Sequence, residues 1–239
     1  MEVSKKPEKQ ENILINLLFN IVVPVLILSK LANYVPLEPY QVLIIALLFP
    51  LSYGLYDFIT AKKANFLSIF GFVSVLLTGI IGLFEFPAEW IAVKEAAVPF
   101  VIGVCVLVSV KTKYPLVKTF IYSDKILDIN RIEVLLEENG AKAKLEKALN
   151  LSSVFLACSF FISAVLNYVL AVILIQSPTG TAEFNAELGR MYALSYPVIA
   201  LPCTIIMLLI LWHLIHSIKK YTGLNFEDMM APHVREKAK

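Results

Sequence analysis

Apolar residues fill six long runs of this chain, and polar residues gather in the stretches between them. The runs cover residues 13–33, 40–60, 66–86, 91–110, 149–175 and 192–216. A hydrocarbon core of about 30 Å takes roughly 20 helical residues to cross, so each run is long enough for one passage. The runs are continuous, whereas strands of a membrane barrel would alternate apolar and polar positions over about ten residues. The pattern therefore predicts an all-α polytopic membrane protein of six transmembrane helices. Soluble packing fails because six such helices in series would need a polar outer layer that the runs do not contain.

The cations orient the chain. Lys5, Lys6 and Lys9 precede the first run, Lys62 and Lys63 lie between the second and third, and eight lysines and arginines lie from Lys111 to Lys147. Lys219, Lys220, Arg235, Lys237 and Lys239 follow the sixth run. Only Lys30, Lys94 and Arg190, of 21 in all, fall at the opposite ends of the runs. Cytoplasmic loops carry the excess of Lys and Arg, so both termini are expected in the cytoplasm. The organisation is then an N-terminal tail (1–12), a membrane domain (13–220) that includes a cytoplasmic segment (111–147), and a C-terminal tail (221–239), short, charged and expected to be loose.

Composition agrees with that picture: 58% of residues are hydrophobic and the mean hydropathy is +0.74. The formal net charge of +2 is small and topology accounts for the cations, so no nucleic-acid partner is expected. The first run exceeds the roughly 7 to 15 residues of a signal-peptide core and lacks an A-x-A-like site, so it should remain as the first span. Cys105, Cys158 and Cys203 each fall inside a run and have no metal-like spacing; they read as small apolar packing residues.

In the segment 111–147, Ile126, Ile129, Ile132, Leu135 and Leu136 recur at helical spacing against Asp128, Arg131, Glu133 and Glu137. Gly140 offers a stop. This amphipathic helix reads as a linker lying against the cytoplasmic end of the bundle, since its polar face carries both signs of charge. The alternative is a helix that docks a partner or a lipid surface.

Ser74, Thr78 and Gly82, at intervals of four in the third run, give a small-residue face that lets another helix approach closely. That run has no charge and reads as structural. Pro24 and Pro99 free the carbonyls of Asn20 and Glu95, and Pro197 and Pro202 interrupt the sixth run. A carbonyl freed in lipid must find a donor or line a wet cavity.

Ionisable residues inside a span each cost roughly 2.5 to 3.5 kcal/mol at mid-membrane, so they are the candidates for a site. Asp57 lies near the cytoplasmic end of the second run, with Asn16, Asn20 and His213 at comparable depth. Lys94 and Glu95 lie near the far end of the fourth run. Adjacent on a helix, those two point about 100° apart and are expected to seek partners on other spans, with Lys30, Arg190 and Asn167 at the right depth. Asn16, Asn20, Asp57, Lys94, Glu95, Asn167 and Arg190 thus form two polar layers with an apolar middle. They serve either to fix helix orientation at the interfaces or to carry a solute or proton route gated between the layers. His213 and His216 read as an interfacial pair rather than metal ligands.

No Gly-rich phosphate loop, H-E-x-x-H or G-x-S-x-G motif occurs, so neither catalysis nor a cofactor is expected. Asn150, Leu151 and Ser152 match a glycosylation acceptor by chance, at the cytoplasmic start of the fifth run.

Tyr53, Gly54, Leu55, Tyr56 and Asp57, then Leu77, Thr78 and Gly79, and Lys94, Glu95 and Ala96 with Pro99 resemble an uncharacterised family of bacterial six-span membrane proteins. Asn185, Leu188, Gly189 and Arg190, with Ser195, Tyr196 and Pro197, are similar to that family alone. From about Gln41 to Tyr122, the Tyr-Asp end of the second run, the close third and fourth runs, and Lys113, Tyr114, Pro115 and Leu116 also resemble, more distantly, the intracellular septation protein A family. The resemblance implies a bacterial inner-membrane location and a role in envelope growth or division through contacts with other membrane proteins, and it supplies no catalytic residue. The expectation is a non-enzymatic, septation-like envelope component whose partners are the lipid bilayer and other membrane proteins or itself. A small-solute or proton-coupled transporter is the alternative.

Overall fold

The computed structural model describes residues 17–31, 34–61, 66–112, 117–118, 122 and 126–237. Among these the chain is all-helical, with no strand and one isolated antiparallel bridge, Leu127 to Met230. The principal helices are α1 (Leu18–Lys30), α2 (Pro39–Ala61), α3 (Phe66–Leu83), α4 (Glu89–Ser109), α5 (Ile129–Glu138), α6 (Lys142–Leu174) and α7 (Ala182–Thr222), followed by the short α8 (Phe226–Met229) and α9 (Pro232–Lys237). Four helices, Pro39–Tyr56 within α2, α4, α6 and α7, are long and apolar enough to cross a membrane. In the apolar windows of these helices only 17–28% is buried, so most of that apolar surface is not covered by the chain itself. Shorter apolar helices run over Leu18–Lys30 and Phe72–Leu83.

Helix boundaries differ from the hydropathy runs. α6 begins at Lys142 rather than 149, and α7 begins at Ala182 rather than 192. The extra turns are amphipathic and held by protein. Thr181 caps α7, its Oγ1 accepting from Phe184 N at 3.1 Å, and Phe184, Leu188 and Met191 then fall on one buried face. Asn185, Glu187 and Arg190 interrupt this stretch and hide it from a hydropathy window.

The chain divides into two compact units, Met1–Glu95 with Tyr168–Tyr196, and Ala96–Asn167 with Pro197–Lys239. The core of the first gathers Leu28, Leu43, Leu47, Ile91, Phe184 and Leu188. Close approach is its organising device. A Cβ on Gly79 would lie 3.2 Å from Leu47 Cδ1, and one on Gly82 would collide with Leu43 Cδ2, so α3 meets α2 through its glycines. A Cβ on Gly189 would lie 2.7 Å from Ser29 Oγ, which makes this the contact of α7 with α1. Asn185 Nδ2 donates to Pro39 O at 2.7 Å.

The second unit has its own core, which includes Ile132, Leu136, Leu145, Leu214, Ile218 and Met229. Asp128 caps α5, accepting from Arg131 N at 3.2 Å, and Gly140 ends it at φ 59°. The apolar face of α5 is covered by its own chain: Ile132 and Leu136 are 0% and 1% exposed. The tail is not loose. Asp128 N donates to Met229 O at 2.8 Å, Ala231 N donates to Ile126 O at 3.0 Å, and Met229 is fully buried. Its apolar anchors, Leu224, Met229 and Ala231, are spaced among charges and register only once α5 offers them a surface.

The prolines act as helix distortions. Leu18–Val22 is a π turn ahead of Pro24, with Val23 N bonding Leu18 O five residues back, and Tyr196–Ala200 is a second π turn around Pro197. Pro50 and Pro99 sit inside α2 and α4. Cys105 and Cys158 lie exposed, not packed as expected; a weakly polar thiol is tolerated by lipid as readily as by protein.

Candidate functional site

Lys94 is the one fully charged side chain among the buried residues described, 6% exposed on α4. Its Nζ donates to Glu95 Oε1 at 2.6 Å and to Thr78 Oγ1 at 2.7 Å, with Ser74 Oγ at 3.3 Å and Ser74 O at 3.5 Å. Thr78 Oγ1 itself donates to Ser74 O at 3.1 Å and lies 3.3 Å from Tyr192 OH. With the threonine proton directed at Ser74 O, the tyrosine hydroxyl is the donor of that last contact. Three helices of the first unit therefore converge: α4 supplies the ion pair, α3 the hydroxyl face and α7 the tyrosine.

An ammonium has three protons, and three side chains, Glu95, Thr78 and Ser74, are within reach of them. That satisfaction matters because an isolated charge in an apolar interior costs several kcal/mol after relaxation. The Glu95 side chain is 18% exposed against 5% for Lys94, so the pair is open on the carboxylate side.

Lys94 finds partners on another span, Thr78 and Ser74 of α3, as expected, but it and the adjacent Glu95 also satisfy each other, contrary to expectation. Their Cβ atoms diverge, but four methylenes on one side chain and two on the other let the tips converge. The third span also supplies polar partners to Lys94. Its small-residue stripe carries Ser74 and Thr78 one turn apart, and these hydroxyls accept from Lys94. Ser74, Thr78 and Tyr192 are the residues that sequence reasoning missed as site members. The i, i+4 spacing of the two hydroxyls was the available signal.

Asn167, Lys30 and Arg190 do not join this nest. Asn167 donates to Ser163 O of its own helix at 2.8 Å and to Ser163 Oγ at 3.3 Å, the usual local answer for an amide in an apolar helix. Lys30 and Arg190 are exposed, and Glu95 is paired with Lys94 instead. Arg190 sits one turn from Glu187, whose carboxylate accepts from Gln176 N and Ser177 N, both at 2.9 Å, and from Ser177 Oγ at 2.8 Å. Asn20 is partly buried in the π turn of α1. Asp57 is on α2, with its side chain outside the described residues, as is the whole of Asn16. His213 lies on α7 in the second unit, its Nε2 buried. Of the outer candidates, Lys94 and Glu95 form one built cluster, while Asn16 and the Asp57 side chain of the inner layer lie outside the described residues.

No family model, curated protein or solved structure matches this chain.

Proposed function

We propose that this is a multi-pass protein of a bacterial inner membrane, six spans with both termini cytoplasmic, acting without catalysis as an envelope component that engages other membrane proteins or itself. Six spans follow if α1 and α3 cross as well. The 18 residues of α3 reach about 27 Å, close to the hydrocarbon thickness, and tilt and local thinning absorb a mismatch of a few ångströms. The distribution of lysine and arginine supports the orientation.

The observation that carries the non-transport reading is the saturation of Lys94. Its protons are met by Glu95, Thr78 and Ser74, so the cation works as a clasp joining α3, α4 and, through Tyr192, α7. A cation already satisfied by its own chain has little to offer a solute. A second reading, a proton- or solute-coupled route, is favoured by one specific feature: the Glu95 carboxylate of this intramembrane pair is partly exposed while the lysine is not.

Lys94→Met combined with Glu95→Gln removes both charges together and separates the two. The measurement is rescue of growth and cell shape in a strain lacking the native gene, at matched protein level and at a temperature below the variant's detergent melting temperature. The clasp reading expects rescue by the folded double variant. A folded protein that fails to rescue refutes that reading in favour of a route through Glu95.

A further inference from the structure

A cavity of about 370 Å³ opens between α6 and α7 in the second unit, lined by Phe155, Ser159 and Ile162 from α6 and by Ile206, Leu209 and His213 from α7. Its lining is apolar apart from Ser159 and the His213 imidazole, whose buried Nε2 has no hydrogen-bond partner among the described residues. Trp212, also in the lining, is 67% exposed and stacks on His216 with ring centroids 5.7 Å apart. Lys219 and Lys220 follow, both exposed in the last turn of α7.

Along α7 the chemistry changes in one direction, from Ile206 and Leu209, through Trp212 and His213, to His216, Lys219 and Lys220. Trp212, His216 and Lys219 have the i, i+4, i+7 spacing of one helical face. From Ile206 to Lys220 the helix rises about 21 Å, enough for one leaflet of hydrocarbon and the headgroup layer above it. The sequence of surfaces matches a phospholipid: apolar chain, interfacial glycerol, anionic phosphate.

We propose that this groove binds one anionic phospholipid from the leaflet that Lys219 and Lys220 face. An acyl chain lies against Phe155, Ile162, Ile206 and Leu209, and His216 with the two lysines holds the phosphate. The proposal rests on the membrane reading of the helices and is independent of whether the Lys94 cluster is a clasp or a route.

Trp90→Phe leaves Trp212 as the sole tryptophan and allows a direct test. The protein is reconstituted in phosphatidylcholine vesicles that contain, at equal fraction, either phosphatidylglycerol or phosphatidylcholine with brominated acyl chains. Brominated phosphatidylglycerol should quench Trp212 more strongly, and that preference should fall roughly five-fold with each of Lys219→Gln and Lys220→Gln, the factor for one cation at an anionic surface. Ser159→Phe, which fills the groove, should lower the preference although both lysines remain. Equal quenching by the two lipids overturns the proposal, as does a preference that survives the lysine changes or the filled groove. Quenching by neither lipid means that protein, such as a second copy of the chain, covers Trp212, and overturns it too. A chain that stays outside the vesicles sinks the membrane reading itself, and the lipid site with it.

Discussion

Thr78→Val deletes one hydroxyl, keeps the branched shape of the side chain, and so isolates the hydrogen bond that the clasp depends on most. Lys94 Nζ loses its 2.7 Å acceptor and Tyr192 OH its 3.3 Å neighbour, while Ser74 Oγ at 3.3 Å remains as a weaker substitute. A hydrogen bond to a charged group contributes about 1.5–3 kcal/mol in soluble proteins. Polar pairs between membrane helices average about 0.6 and reach about 1.7 kcal/mol, because a chain unfolded within the membrane also finds partners. The burial of Lys94 places this contact at the upper end of the membrane range, so we expect a loss of about 1–2 kcal/mol. Reversible unfolding in mixed micelles measures it, and a double-mutant cycle with Lys94→Met isolates the pair, with an expected coupling of about 1 kcal/mol. Additivity of the two substitutions to within about 0.3 kcal/mol would refute the bond and the clasp built on it.

Gly189→Val should cost roughly 1–3 kcal/mol of thermal stability in detergent, since its Cβ meets Ser29 Oγ at 2.7 Å and Leu28 Cβ at 3.1 Å; an unchanged melting temperature would mean α1 and α7 do not approach as described. Met229→Ala should destabilise the second unit by roughly 2–3 kcal/mol and expose the chain near residue 225 to protease, whereas a loose tail would be cleaved equally in both proteins. Asp228→Ala, by contrast, removes only half-exposed pairs with Arg131 and Arg235, at 3.6 and 3.8 Å, and should change stability by less than about 1 kcal/mol in the same assay. For the topology, single cysteines at Thr179 and Glu138 in a background lacking Cys105, Cys158 and Cys203 should react with an impermeant thiol reagent from opposite sides of the membrane; labelling from one side would overturn six spans.

The polar cluster was half legible in the chain. Lys94 and Glu95 announce themselves because charges inside an apolar run are costly and therefore rare. Ser74, Thr78 and Tyr192 do not, because hydroxyls on a membrane helix are common and usually bond back to their own turn, as Ser195 does to Met191 O. Asn167 shows the converse: flagged by its depth, it is satisfied within α6. Depth in the membrane is a function of residue number, but azimuth around the bundle is not, and azimuth decides which polar groups meet.

Hydrophobic run length determined the helical class and the long apolar α2, α4, α6 and α7, because solvation by lipid acts on each segment separately. The amphipathic α5, with its cap at Asp128 and stop at Gly140, was likewise written locally. Only the tertiary structure decided that α7 starts ten residues early, that the C-terminal segment docks on α5, and that adjacent Lys94 and Glu95 close on each other beneath Thr78. Each of these depends on a surface supplied by a residue distant in sequence. Burial, close approach and hydrogen-bond satisfaction are properties of pairs, and a linear pattern records only their members.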